Sequence, residues 1–135
     1  ADGTRISYIY GYNNTQPIAK LVNASYGNLS SEQIDAINGT NGVRNLSNND
    51  NDTCHGTSGC AEASLRNALI NLRNVFPEAQ ITTYTYDPLI GVTSITDPRG
   101  QTNYYIYDDF NRLERIEDED GNIIEEYEYH YRTQN

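Results

Sequence analysis

Closely spaced carboxylates are the residues of this chain with the widest chemical reach. Asp108-Asp109, and Asp118 with Asp120, are of the type that general acid–base and glycosidic chemistry uses. Both pairs sit among turn-forming residues, where Asp accepts backbone N–H groups, and the turn role is the better account of them. Glu125, Glu126 and Glu128 read as a solvated strand face rather than an acid–base set. Asn48, Asp50 and Asp52 alternate like the first ligands of a calcium loop. The match then breaks, with Thr53 where Gly belongs and Gly59 where the bidentate Glu belongs. A disordered polar loop is the better expectation for that stretch.

Cys54, His55 and Cys60 offer two sulfurs and one imidazole, short of the four ligands of a structural zinc site. The cysteines are either free thiols or, in an exported chain, a small-loop disulfide. A Cys/His nucleophile pair also needs an orienting group, and His130 is far along the chain. Ser58, in Gly56-Thr57-Ser58-Gly59, lacks the Gly-x-Ser-x-Gly spacing of a nucleophile elbow. No phosphate-binding glycine loop is present. Neither a metal, a cofactor nor an enzyme activity is expected. The formal charge of −10 argues against a nucleic-acid partner. No stretch is apolar and long enough to span a membrane as a helix.

The elements that must position these residues follow from periodicity. Twelve Tyr stand against two Phe, with no Trp and no Met, so tyrosine supplies much of the aromatic surface. Tyr suits strands because it covers apolar area while keeping a wet hydroxyl. A chain without Met cannot begin at its own start codon, so it is expected to be a processed product or a piece of something longer. Residues 1–25 read as β-structure: Tyr8, Tyr10 and Tyr12 alternate with Ile9 and Gly11, and Ile18–Val22 follows a turn at residues 13–17. Residues 26–80 read as a helical and loop insertion. Ser30 or Ser31 caps a short helix through Ile37, and Asn38–Thr53 is expected as an exposed loop. A helix over 61–75 presents Leu65, Leu69, Leu72 and Phe76 on one face and stops at Pro77.

Residues 81–131 carry strands near 81–86, 91–96, 102–107, 112–117 and 123–131. Along the last, Ile123, Tyr127, Tyr129 and Tyr131 form a packed face and Ile124, Glu126, Glu128 and His130 a wet one. An internal echo runs through this part: Tyr84-Thr85-Tyr86-Asp87 returns 21 residues later as Tyr105-Ile106-Tyr107-Asp108, and Asp97…Gly100 as Asp118…Gly121. A unit this short cannot bury its own apolar face and must stack on neighbours. Tyr8-Ile9-Tyr10 reads as a degenerate third copy.

Tyr-x-Tyr-Asp, then Asn111-Arg112-Leu113, then Asp118-Glu119-Asp120-Gly121, resembles the YD repeat of RHS-repeat proteins. The copy at residues 84–100 matches at both ends, with Ile90-Gly91-Val92 departing in the middle. The resemblance implies a secreted or cell-surface bacterial scaffold whose repeats coil as a long sheet into a shell. It implies neighbouring repeats or self-association as partners. Some members of the family cleave themselves at an Asp-Pro-x-Gly motif. Asp97-Pro98-Arg99-Gly100 looks similar, but its register is that of a repeat turn. The expected fold is α+β, an antiparallel sheet of repeated β-hairpins with a helical insertion, in one domain over 1–135. The expected function is structural and non-catalytic. The alternative is a carbohydrate- or cell-surface-binding module that presents Tyr105, Tyr107, Tyr127 and Tyr129, with Tyr104 beside them, to a glycan.

Overall fold

The computed structural model describes residues 5–23, 28–56 and 59–128. The elements in order are β1 (Ile6–Gly11), β2 (Gln16–Val22), α1 (Ser31–Asn38), α2 (Val43–Asn48), α3 (Ala61–Val75), β3 (Gln80–Asp87), β4 (Gly91–Thr96), β5 (Thr102–Tyr107), β6 (Leu113–Glu117) and β7 (Ile123–Glu126). The strands form one sheet in sequence order, and every neighbouring pair is antiparallel. The class is α+β, with three helices among the described residues inserted between β2 and β3.

Short connections follow from turn chemistry. Asp97, Asp108 and Asp118 each place Oδ1 on two backbone N–H groups, those of Arg99 and Gln101, of Phe110 and Arg112, and of Asp120 and Asn122. Gly100, Asn111 and Gly121 then take φ values of 91°, 63° and 85°. Gly and Asn are the types that enter this left-handed region most readily. The hairpins β1–β2, β3–β4 and β5–β6 each carry a bulge, at Ile9/Tyr10, Thr85/Tyr86 and Ile106/Tyr107. The register leaves Ile18, Thr93 and Glu114 as the extra residues on the returning strands.

Helix α1 begins with a capping box. Ser30 Oγ accepts from Gln33 N, and Gln33 Oε1 accepts from Ser30 N. Gln33 Nε2 also donates to Val75 O, which ties α1 to the end of α3. The α3 stripe of Leu65, Leu69, Leu72 and Phe76 meets Ile9, Ile18, Leu21 and Ile81 of the sheet in one core. From Thr85 of β3 through β4 and β5 the inner layer changes character. Thr85, Thr93, Ser94, Thr96 and Thr102 are buried there, and their hydroxyls pair across strands at 2.5–2.8 Å. Pairing is what lets so polar a layer be buried.

Three expectations are corrected. Residues 38–53 are not an exposed loop: they hold α2, with Val43, Ser47 and Asp50 buried. Gly11 makes room for it, since a Cβ there would lie 2.2 Å from Ser47 Oγ. Tyr12 does not continue the alternation of β1. It turns at a φ of 52° and buries its ring, its N–H bound to Ser47 Oγ and its hydroxyl to Asp50. The last strand, expected over 123–131, runs Ile123–Glu126; its register slips at Ile116/Glu117, and all four residues are exposed. Tyr127 is also exposed rather than packed, while Tyr129, His130 and Tyr131 lie outside the described residues.

Candidate functional site: a tyrosine face and a buried polar layer

Strand alternation sends Tyr8 and Tyr10 of β1, Tyr84 and Tyr86 of β3, and Tyr105 and Tyr107 of β5 to the face away from the helices. Tyr8 and Tyr10 are 44% and 46% exposed, and the other four are half-buried. Ring centroids lie 6.5 Å apart in the first pair and 6.4 Å in the second. Burial, then the neighbouring Tyr84 and Tyr10, push the Tyr86 hydroxyl up to about 12. Burial likewise raises Tyr84, Tyr105 and Tyr107. These hydroxyls stay protonated and are able to donate.

Two of them donate in the same way. Tyr86 Oη gives its proton to Pro17 O, and Tyr107 Oη gives its proton to Val92 O, both at 2.8 Å. Each acceptor is the residue just before the bulged one of the preceding hairpin, Ile18 or Thr93. The ladders between hairpins have ended by then, β2–β3 at Ala19↔Thr83 and β4–β5 at Ser94↔Tyr104. The tyrosine hydroxyl therefore satisfies a carbonyl that the ladder does not reach.

Of the four tyrosines expected to share a platform, Tyr105 and Tyr107 lie on this face. Tyr127 is 39% exposed just past the end of β7 and bonds Glu125 through its hydroxyl. Tyr129 lies outside the described residues. Tyr104 belongs to the other face: it is buried under α3, with His55 stacked on it at 4.2 Å. The period of two separates it from Tyr105.

Beneath α3 lies a constellation that sequence reasoning missed. Glu62 and Arg66 are buried and ion-paired. Glu62 Oε1 accepts from Thr93 Oγ1 at 2.8 Å. The Arg66 guanidinium donates to Ser94 Oγ, Gly56 O and Cys54 O, and lies 5.0 Å from the Tyr104 ring centroid. Cys54 and Cys60 are joined in a disulfide, and Cys60 Sγ accepts from Ala63 N at the start of α3. Burial pushes the Glu62 carboxyl up to about 7 against the opposing pull of Thr93 and Arg66. Burial also raises Asp50. The available signal was positional, since Glu62 and Arg66 fall on the same stripe as Leu65, Leu69 and Leu72.

The remaining candidates are spent on structure. Asp50 takes the Tyr12 hydroxyl, Asp52 takes Ala61 N and Glu62 N, and Asn48 Oδ1 takes Asn13 N, so these three side chains diverge. Asp108 and Asp118 serve turns, and the backbone N–H groups of Arg112 and Asn122 hold them below the usual carboxylate range. Glu125, Glu126 and Glu128 are exposed, and Ser58 lies outside the described residues. Among the described residues no three His, Cys, Asp or Glu side chains converge on a metal position. No helix among them is long and apolar enough to cross a membrane. Comparison with known proteins finds no matching family model, no matching curated protein and no matching solved structure.

Proposed function

We propose that this chain is a non-catalytic structural segment of a secreted or surface scaffold built from repeated hairpins of the YD type. The carrying observation is the pair of tyrosine locks. Tyr86 and Tyr107 are 21 residues apart, and each bonds the same kind of carbonyl on the hairpin before it. The shared bulge of three hairpins and the shared Asp turn support the same unit. In this reading the helices serve as a cover that fills the inner face of β1–β5, and the sheet is the part that propagates.

A unit insertion tests this. A second copy of residues 101–121 is placed after Gly121, in phase with the 21-residue period. An array absorbs it: the added strands become protected from hydrogen exchange and unfolding stays cooperative. A scrambled insert of the same composition should remain unprotected. Inserted residues that exchange like a free loop in the in-phase chain would count against repetition.

A second reading has its own observation, the exposure of Tyr8 and Tyr10 on the face away from the described helices. It makes the face a glycan-stacking surface that continues through Tyr105, Tyr107 and Tyr127. Tyrosine fluorescence quenched by oligosaccharides, and lost on Tyr105→Ala, would favour it. Unchanged fluorescence across glycans would leave the scaffold alone.

A further inference from the structure

Tyr10 stands in β1 where Tyr86 stands in β3 and Tyr107 in β5, directly after the bulge step of its hairpin. The other two hydroxyls reach back to a carbonyl of the preceding hairpin. β1 comes first in the sheet order, and Tyr10 Oη makes no hydrogen bond among the described residues. Beside it runs a groove of about 470 Å³ between β1 and the helices, lined by Tyr8, Tyr10, Asn14, Leu29, Ile37 and Arg44. Ile9, Leu29 and Ile37 give it an apolar part, and Asn14, Asn38 and Arg44 a polar one. Arg44 donates to Asn14 and Asn38 and pairs with no carboxylate among the described residues.

We propose that this groove docks the returning strand of a further bulged hairpin, whose carbonyl ahead of the bulge accepts the Tyr10 hydroxyl and whose acidic bulge residue meets Arg44. The inference rests on the hairpin-unit reading and extends it to a surface and a partner chemistry. Two arguments select this occupant. The first is continuity, because both internal junctions use the same tyrosine-to-carbonyl contact. The second is charge. β6 supplies the chain's own example of such a strand, with Leu113 ahead of the bulge and Glu114 as the extra residue. A strand of that composition brings a carboxylate to an arginine that lacks one. The β2 and β4 equivalents, Ile18 and Thr93, bring none. Strand addition at a sheet edge draws affinity from the backbone and specificity from such side-chain contacts.

The test tethers the occupant to the intact chain. A second copy of residues 102–118 is joined ahead of Ala1 by a flexible Gly/Ser linker, so that a weak contact is read at high effective concentration. Hydrogen exchange should show the added returning strand protected. Tyr10→Phe and Arg44→Gln should each lower that protection by roughly threefold to tenfold, the range expected for one hydrogen bond or charged contact. Tyr10→Phe in the untethered chain should change nothing. An added hairpin that exchanges as a free peptide overturns the proposal, as does protection indifferent to Tyr10→Phe. If that happens while Tyr86→Phe and Tyr107→Phe still weaken the untethered chain, the dock is wrong and the hairpin unit stands.

Discussion

Glu62 should make this fold more stable in mild acid than at neutral pH. Its carboxyl is buried beneath α3, held by Thr93 and Arg66, with Asp50 adding negative potential. Burial lifts it from an ordinary 4.5 to about 7. Between those values the folded chain keeps a proton that the unfolded chain has released. Stability therefore falls as pH rises through that window, fully present below 4.5 and lost above about 7. At about 1.4 kcal/mol per tenfold, the loss is on the order of 3 kcal/mol. For a chain of this length that is a drop of roughly 10 °C in Tm. Asp50, also raised by burial, adds in the same direction. Urea unfolding at constant ionic strength from pH 5 to 8 measures the slope. Glu62→Gln keeps an oxygen for Thr93 or Arg66 and cannot titrate. Most of the slope should vanish, with the variant near the native chain at pH 5 and at least its equal at pH 8. A native midpoint that stays level or rises from pH 5 to 8 would mean that Arg66 holds Glu62 ionised and that the burial argument is wrong.

Removing the hydroxyl at Tyr86 or Tyr107 leaves Pro17 O or Val92 O without its donor. Tyr86→Phe and Tyr107→Phe should each cost about 1 kcal/mol by chemical denaturation. Equal stability of both variants with the native chain would remove the lock. Gly11→Ala drives a Cβ into Ser47 Oγ, and α2 must shift to admit it. The expected cost is about 1–3 kcal/mol, with faster amide exchange along α2. A neutral effect would mean that α2 is not seated on β1.

Much of the sheet was legible because its signals are local. The Asp turns announce themselves at residues 97–100 and 118–121, and Pro77 ends α3 as a missing N–H should. Observed strands match the expected ones within about a residue from β3 to β6. Helix α2 was hidden because six residues cannot display an apolar period, and its seat depends on Gly11, 36 residues before Ser47. The polar layer was hidden for a related reason. Thr85, Thr93 and Ser94 look like solvent-facing strand residues in the sequence. Only the pairing of β3 with β4, and the placement of α3 above them, reveals them as buried partners of Glu62 and Arg66. Tyr12 misled in the opposite sense, since its alternation with Ile9 and Gly11 is real but ends one residue before it.

In the last strand the 21-residue spacing fails while the antiparallel pairing continues. At an offset of 21, Tyr105 meets Glu126 and Tyr107 meets Glu128, so the echo fades. The register explains why. Ser94 pairs with Tyr104 in β4–β5, and Arg115, 21 residues after Ser94, pairs with Glu126, 22 residues after Tyr104. Ile124 is the added residue, between Ile123 opposite Glu117 and Glu125 opposite Ile116. Tyr127 thus follows Glu126 as Tyr105 follows Tyr104, and its N–H meets Glu114 O at 2.9 Å. A bulge absorbs one extra strand residue at the cost of a local kink. The Asp turns have no such slack, because Oδ1 must meet backbone N–H groups two and four residues on. If the hairpin-unit reading proposed above holds, drift in its period should accumulate in strands, and a search that lets strand length vary by one while holding the turns fixed should align β7 with β5 where a rigid 21-residue period does not.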